Sequence, residues 1–137
     1  MKSSIALFAL VLLLPLTAAT AQPAATNQAS AEDCAVMQAL IGPPPLLITL
    51  ASDSFGLDCD WVKRLEPSPV VPVGTPGSHQ SYGRPTYSPD GLQATEAYWD
   101  SYQGTNGFVG AHQHICTLKK RGAGWSFISC ATGIIAN

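Results

Sequence analysis

The chain has 137 residues, a formal charge of −2 and only 12 % charged residues. That is the length of one domain and too little positive charge for a nucleic-acid groove. At that size a core can form, but its margin is thin.

The start of the chain reads as an export signal. MKSS supplies a positive charge at Lys2, and IALFALVLLLPL has the length of a signal h-region, too short to span a bilayer. Ala19 and Ala21 occupy the small positions before a cleavage site, which predicts a signal peptide over residues 1–21. No cysteine follows the cut, so a lipoprotein is not expected, and no later run is long and apolar enough for membrane insertion after signal cleavage. The expected location is periplasmic or secreted. Loss of Lys2 brings the charge to about −3. Residues 22–29, QPAATNQA, are small and polar and predict a disordered N-terminus, leaving 30–137 as a single domain.

A short helix is expected over SAEDCAVMQALIG. Ser30 can cap it, Glu32 and Asp33 suit its positive end, and Gly42 followed by Pro43, Pro44 and Pro45 stops it. LLITLA at 46–51 has the length and branching of a buried strand, with a helical turn as the alternative. DCDWVKRL at 58–65 suits a short helix with Trp61, Val62 and Leu65 inward. Residues 66–83, EPSPVVPVGTPGSHQSYG, are rich in Pro, Gly and Ser and predict a long surface connection.

The second half has the pattern of strands. RPTYS and LQATEAYWDSY flank a turn at Pro89, Asp90 and Gly91; QGTNG makes the next turn; FVGAHQHICTLKK and GWSFISCAT flank a turn around Gly122 and Gly124. The fold class expected from this is α+β, with an N-terminal helix packed on a four- to five-stranded antiparallel meander.

Cys34, Cys59, Cys116 and Cys130 are an even set in an exported chain, which suggests disulfides. Four cysteines allow three pairings. If Gly122, Ala123 and Gly124 form a three-residue loop, Arg121 faces Trp125, Leu118 faces Ile128 and Cys116 faces Cys130. Opposed strand positions come within disulfide reach, so Cys116 with Cys130 is preferred, leaving Cys34 with Cys59. No C-x-x-C spacing favours zinc bound by the four thiols.

His112, His114 and Cys116 recur at every second position, which places them on one face of a strand. An H-x-H pair can present two imidazoles to zinc or copper, with His79, Asp100 or Glu96 as a third ligand. Two histidines alone make a weak site, and a disulfide would remove Cys116. Glu96 and Asp100 lie about 13 Å apart along a strand, too far for a glycosidase pair. No G-x-S-x-G or phosphate loop is present, so no catalytic residue is assigned and no cofactor is expected. Tyr98 and Tyr102, on the face opposite Trp99, could border a ligand groove.

YSPDGLQAT, a glycine-bearing strand and CTLKKRGAGWSFISC, spanning residues 84–130, resemble the C-terminal half of small exported bacterial proteins of unassigned function. The cadence is similar to that of sheets in nuclear-transport-factor-2-like (NTF2-like) and cystatin-like folds. The resemblance implies a curved antiparallel sheet around a helix and carries no catalytic residue across. The function expected is that of a non-enzymatic binding or interaction module for a protein or small-molecule partner. The alternative is a periplasmic metal-binding protein, or a metal-dependent enzyme, built on His112 and His114.

Overall fold

The computed structural model describes residues 27–137 apart from 44, 45 and 47. The expected signal peptide, residues 22–26, and Pro44, Pro45 and Leu47 lie outside the described residues. In chain order the elements are α1 (Ala31–Ile41), β1 (Leu50–Ala51), α2 (Asp60–Lys63), β2 (Val70–Val71), β3 (Gly77–Tyr82), β4 (Thr86–Tyr87), β5 (Gln93–Gly104), β6 (Gly107–Arg121) and β7 (Gly124–Ala136).

Helix α1 forms where its caps dictate. The Asp33 N–H donates to Ser30 Oγ at 3.0 Å, and the Ser30 N–H donates to Asp33 Oδ2 at 3.0 Å, a reciprocal capping box. Gly42, at φ 95°, ends the helix, and its N–H donates to the Gln38 carbonyl at 2.9 Å. Helix α2 starts after Cys59 and buries Trp61 and Val62.

The expected fold class is overturned. Among the described residues seven strands form one mixed sheet in the order β2-β1-β3-β5-β6-β7, with β4 also beside β5. Strand β1 runs parallel to both β2 and β3. A helix on an antiparallel meander is therefore the wrong architecture: the sheet dominates, and its N-terminal strands join it in parallel. The error starts at residues 66–83, which contain β2 and β3 instead of a surface connection. Strand β3 is polar because only His79 and Tyr82 are buried in it. Its backbone is what β5 needs, since β5 has a second edge whose N–H and C=O groups must be paired. The pairing runs from Gly77 opposite Gln103 to Tyr82 opposite Tyr98. Among the described residues of LLITLA, only Leu50 and Ala51 are strand. The Leu50 N–H reaches the Pro69 carbonyl and the Ser52 N–H the Val71 carbonyl, each at 2.8 Å.

The last hairpin corrects a second expectation. Arg121 faces Gly124, so the loop has two residues, with Gly122 at φ 63°. A positive φ at the first loop position suits a hairpin turn whose twist matches the strands. Leu118 accordingly faces Phe127. An irregularity between Thr117 and Leu118 then inserts one residue into β7 and brings Cys116 opposite Cys130. Two one-residue departures cancel, and the cysteines meet.

Alternation divides the sheet into two faces. Val36 of α1 packs with Ala94 and Leu118 on one of them, with Trp125 at the margin. Met37, Leu50, Cys59, Trp61, Val62 and Tyr82 form the second cluster, which joins α1 to α2 and to β3. The side of the sheet that carries α1 is its helix face.

Candidate functional site

The helix face has a closed end and an open end. At the closed end Ala94, Glu96, Cys116 and Leu118 are all fully buried. Tyr87 donates from its hydroxyl to Asp33 Oδ1 at 2.7 Å. Lys120 forms an ion pair with Glu32, which also accepts from Trp125 Nε1 at 3.1 Å. These contacts fasten the first turn of α1 to β4, β6 and β7. Burial, the hydrogen bond to Asp33 and the Asp33 charge push the Tyr87 hydroxyl well above its ordinary range.

Glu96 is the anomaly of this end. It lies opposite Cys116, is 0 % exposed, and neither carboxyl oxygen has a hydrogen-bond partner among the described residues. Desolvation, with a smaller contribution from the Asp33 charge, pushes its carboxyl up to about 8. It is therefore protonated at neutral pH, which relieves the cost of a buried charge.

Beyond α1 the same face opens in steps, with Tyr82 still buried, Tyr98 and His114 half-buried, and Asp100, Tyr102 and His112 exposed. Tyr82, Tyr98 and His114, on β3, β5 and β6, face one another in register. Their rings stack in sequence, Tyr82 to Tyr98 at 4.9 Å between centroids and Tyr98 to His114 at 4.8 Å. The Tyr82 hydroxyl donates to Gln80 Oε1 at 2.6 Å. Burial and the Asp100 charge raise the Tyr98 hydroxyl above its ordinary range, and burial does the same for Tyr82. A hollow of about 150 Å³ lies between this stack and the end of α1, lined by Leu40, Ile41, Ile48 and Gln80 together with both tyrosines.

One step further along the strands is a shallow depression of about 320 Å³, bordered by Ser78, Asp100, Tyr102, Gly110, His112 and Asn137. Ser78 faces Tyr102, Tyr102 faces Gly110, and Asp100 faces His112, so these five residues share the helix face across three strands. Gly110 keeps the floor low. A Cβ there would meet the Ala136 carbonyl at 3.2 Å and Asn137 Oδ1 at 3.5 Å, so the end of β7 closes against it.

Tyr98 and Tyr102 share this face, Tyr98 beside the hollow and Tyr102 beside the depression. His112 and His114 also share it, but the His114 ring is stacked on Tyr98. His79 lies in β3, opposite Ser101, on the other face of the sheet, and is buried. It cannot reach the pair, because β3 is a strand and not a loose connection. Glu96 is under α1 and Cys116 is in a disulfide. Among the described residues no three His, Cys, Asp or Glu side chains gather in a way that could hold a metal ion. Gln80, Tyr82 and Ser78 were missed because the 66–83 segment carries the composition of a loop; the tyrosine two residues after Gln80 was the available signal.

Cys34 is bonded to Cys59 and Cys116 to Cys130, with Cα separations of 5.6 Å and 4.0 Å. The first bridge ties α1 to the start of α2, where Trp61 Nε1 also donates to the Cys34 carbonyl at 3.1 Å. Two disulfides and no free cysteine fit an oxidising, periplasmic or extracellular environment. No helix among the described residues is long and apolar enough to cross a membrane. No protein-family model, curated protein or solved structure matches the chain.

Proposed function

We propose that this is an exported, non-enzymatic binding module, directed to the periplasm or the exterior by residues 1–21, that takes its ligand on the open end of the helix face. The observation that carries this is the row of Tyr82, Tyr98 and His114 rings leading into Asp100, His112 and Tyr102. The Tyr102 ring, the Asp100 carboxylate, the His112 imidazole and the Ser78 hydroxyl line a concavity there, beyond the residues that α1 buries. Concave surfaces with an apolar wall and a few convergent polar groups are where small ligands and peptide segments bind. Kinship with small exported bacterial proteins is part of the proposal and rests on the 84–130 motif.

Two measurements test it. A fragment screen followed by amide chemical shifts should concentrate perturbations on Tyr98, Asp100, Tyr102, His112 and His114. Hits confined to another surface, or none at all, would remove the ligand surface. Intact mass of protein from cells expressing the whole chain should start at Gln22 with all four sulfurs oxidised. A retained leader would remove the export half.

A further inference from the structure

We infer that the outer edge of β7 is a self-association edge, on which a second copy of this chain adds its own β7 antiparallel and closes a two-fold dimer. Strand β7 ends the sheet order, and no strand among the described residues pairs with its outer side. An unpaired edge is a template for another strand, and proteins normally blunt it with charge, proline or bulges. β7 has no charge and no proline, and its two irregularities flank a regular stretch at 129–132. Its sequence, GWSFISCATGIIA, contains no charged residue and no proline over 13 residues.

The edge is also apolar in a symmetric way. Phe127 is 51 % exposed, Ile128 42 %, Ile134 58 % and Ile135 60 %. A two-fold axis through Ala131 sets Phe127 opposite Ile135 of the second copy and Ile128 opposite Ile134. Between these pairs stand only small or weakly polar residues, with alanine on the axis, where a larger side chain would meet itself. The faces agree as well. Phe127 pairs with Leu118 and Ile135 with His112, both on the helix face, so the two side chains that would meet point the same way. The register irregularities lie on either side of the regular stretch 129–132 and leave it free to pair.

Antiparallel pairing of one strand with its own copy is isologous and closes at two. It would remove on the order of 1,000 Å² from water across both copies, the floor for a specific interface. It would also supply the missing backbone partners of β7. A second copy is therefore the occupant that this edge fits without any further chemistry.

The test is sedimentation of the purified, processed protein from micromolar to submillimolar concentration, with hydrogen exchange of the β7 amides alongside. The wild type should form a reversible dimer, and amides of 127–135 should gain protection as concentration rises. Ala131→Lys sets two ammonium groups against each other on the axis, and Ile134→Lys puts a charge in the apolar pair. Each should weaken dimerisation at least about tenfold. Val73→Lys, on an exposed site away from β7, should change nothing. The inference is overturned by a monomer throughout, by a dimer untouched by both lysines, or by species larger than two. Protection of β7 that is independent of concentration also overturns it, since another part of the chain then covers the edge.

Discussion

The closed and open ends of the helix face are built on the same two strands, β5 and β6, yet they differ in nearly every property. Ala94, Glu96, Cys116 and Leu118 are sealed, whereas Asp100, Tyr102 and His112 are exposed. The difference is one of length. A helix of 11 residues is about 16 Å long and a strand of 12 about 40 Å. One short helix cannot cover such a strand, and the capping box fixes which end it covers. Apart from Glu96, apolar residues stand beneath it, and polar and aromatic ones stand beyond it. Stability should therefore reside at one end and recognition at the other.

The comparison breaks most sharply at Leu118. It is fully buried between Val36 and Ala94, so Leu118→Ala should cost about 2–5 kcal/mol in chemical denaturation. A loss under 1 kcal/mol would mean that α1 does not seal this end. The disulfides rank next. Cys34 and Cys59 are 25 residues apart and Cys116 and Cys130 are 14 apart. Loop closure predicts losses of about 3.5 and about 3 kcal/mol when each pair is changed to serine. The first double variant should also loosen α1, seen as faster hydrogen exchange in residues 31–41. Equal exchange in both variants would separate the bridge from the seal.

Glu96 sharpens the comparison through pH. Its folded-state carboxyl is raised from the ordinary 4.5 to about 8, so the folded state holds a proton that the unfolded chain releases between these values. The contribution is fully present below 4.5 and declines as pH rises toward 8, at up to about 1.4 kcal/mol per pH unit. Glu96→Gln should flatten that slope. Parallel curves for both proteins across this window would show that Glu96 is hydrated and that the closed end is not closed.

The two ends were unequally legible in the sequence. Helix α1 was readable because Ser30, Asp33 and Gly42 act locally, within one turn of the backbone they cap. Pairing of the cysteines was readable from alternation, although the turn was one residue shorter than supposed and a bulge made up the difference. Strands β2 and β3 were not readable, because their place in the sheet comes from the needs of β5 and from parallel partners far along the chain. Nothing in GSHQSY states that a neighbour awaits it. The period put the histidine pair on one face, but the rest of a metal site depended on long-range packing: β3 carries His79 on the other side, Glu96 lies under α1, and Asp100 faces His112 while the His114 ring stacks on Tyr98. Local chemistry survives translation from sequence to structure, and long-range pairing does not.

The smallest effect is expected at the open end. Tyr102 and His112 are exposed, and among the described residues their side chains make no hydrogen bond or ion pair. Alanine at either position should change unfolding free energy by no more than about 0.5 kcal/mol, as at other surface sites away from structural features. The same substitutions should abolish the chemical-shift response of the depression to bound fragments, since they remove two of its walls. That pairing of outcomes separates recognition from stability. If His112→Ala instead unfolds the protein as readily as Leu118→Ala does, the open end is part of the core, and the division on which the binding surface was placed fails with it.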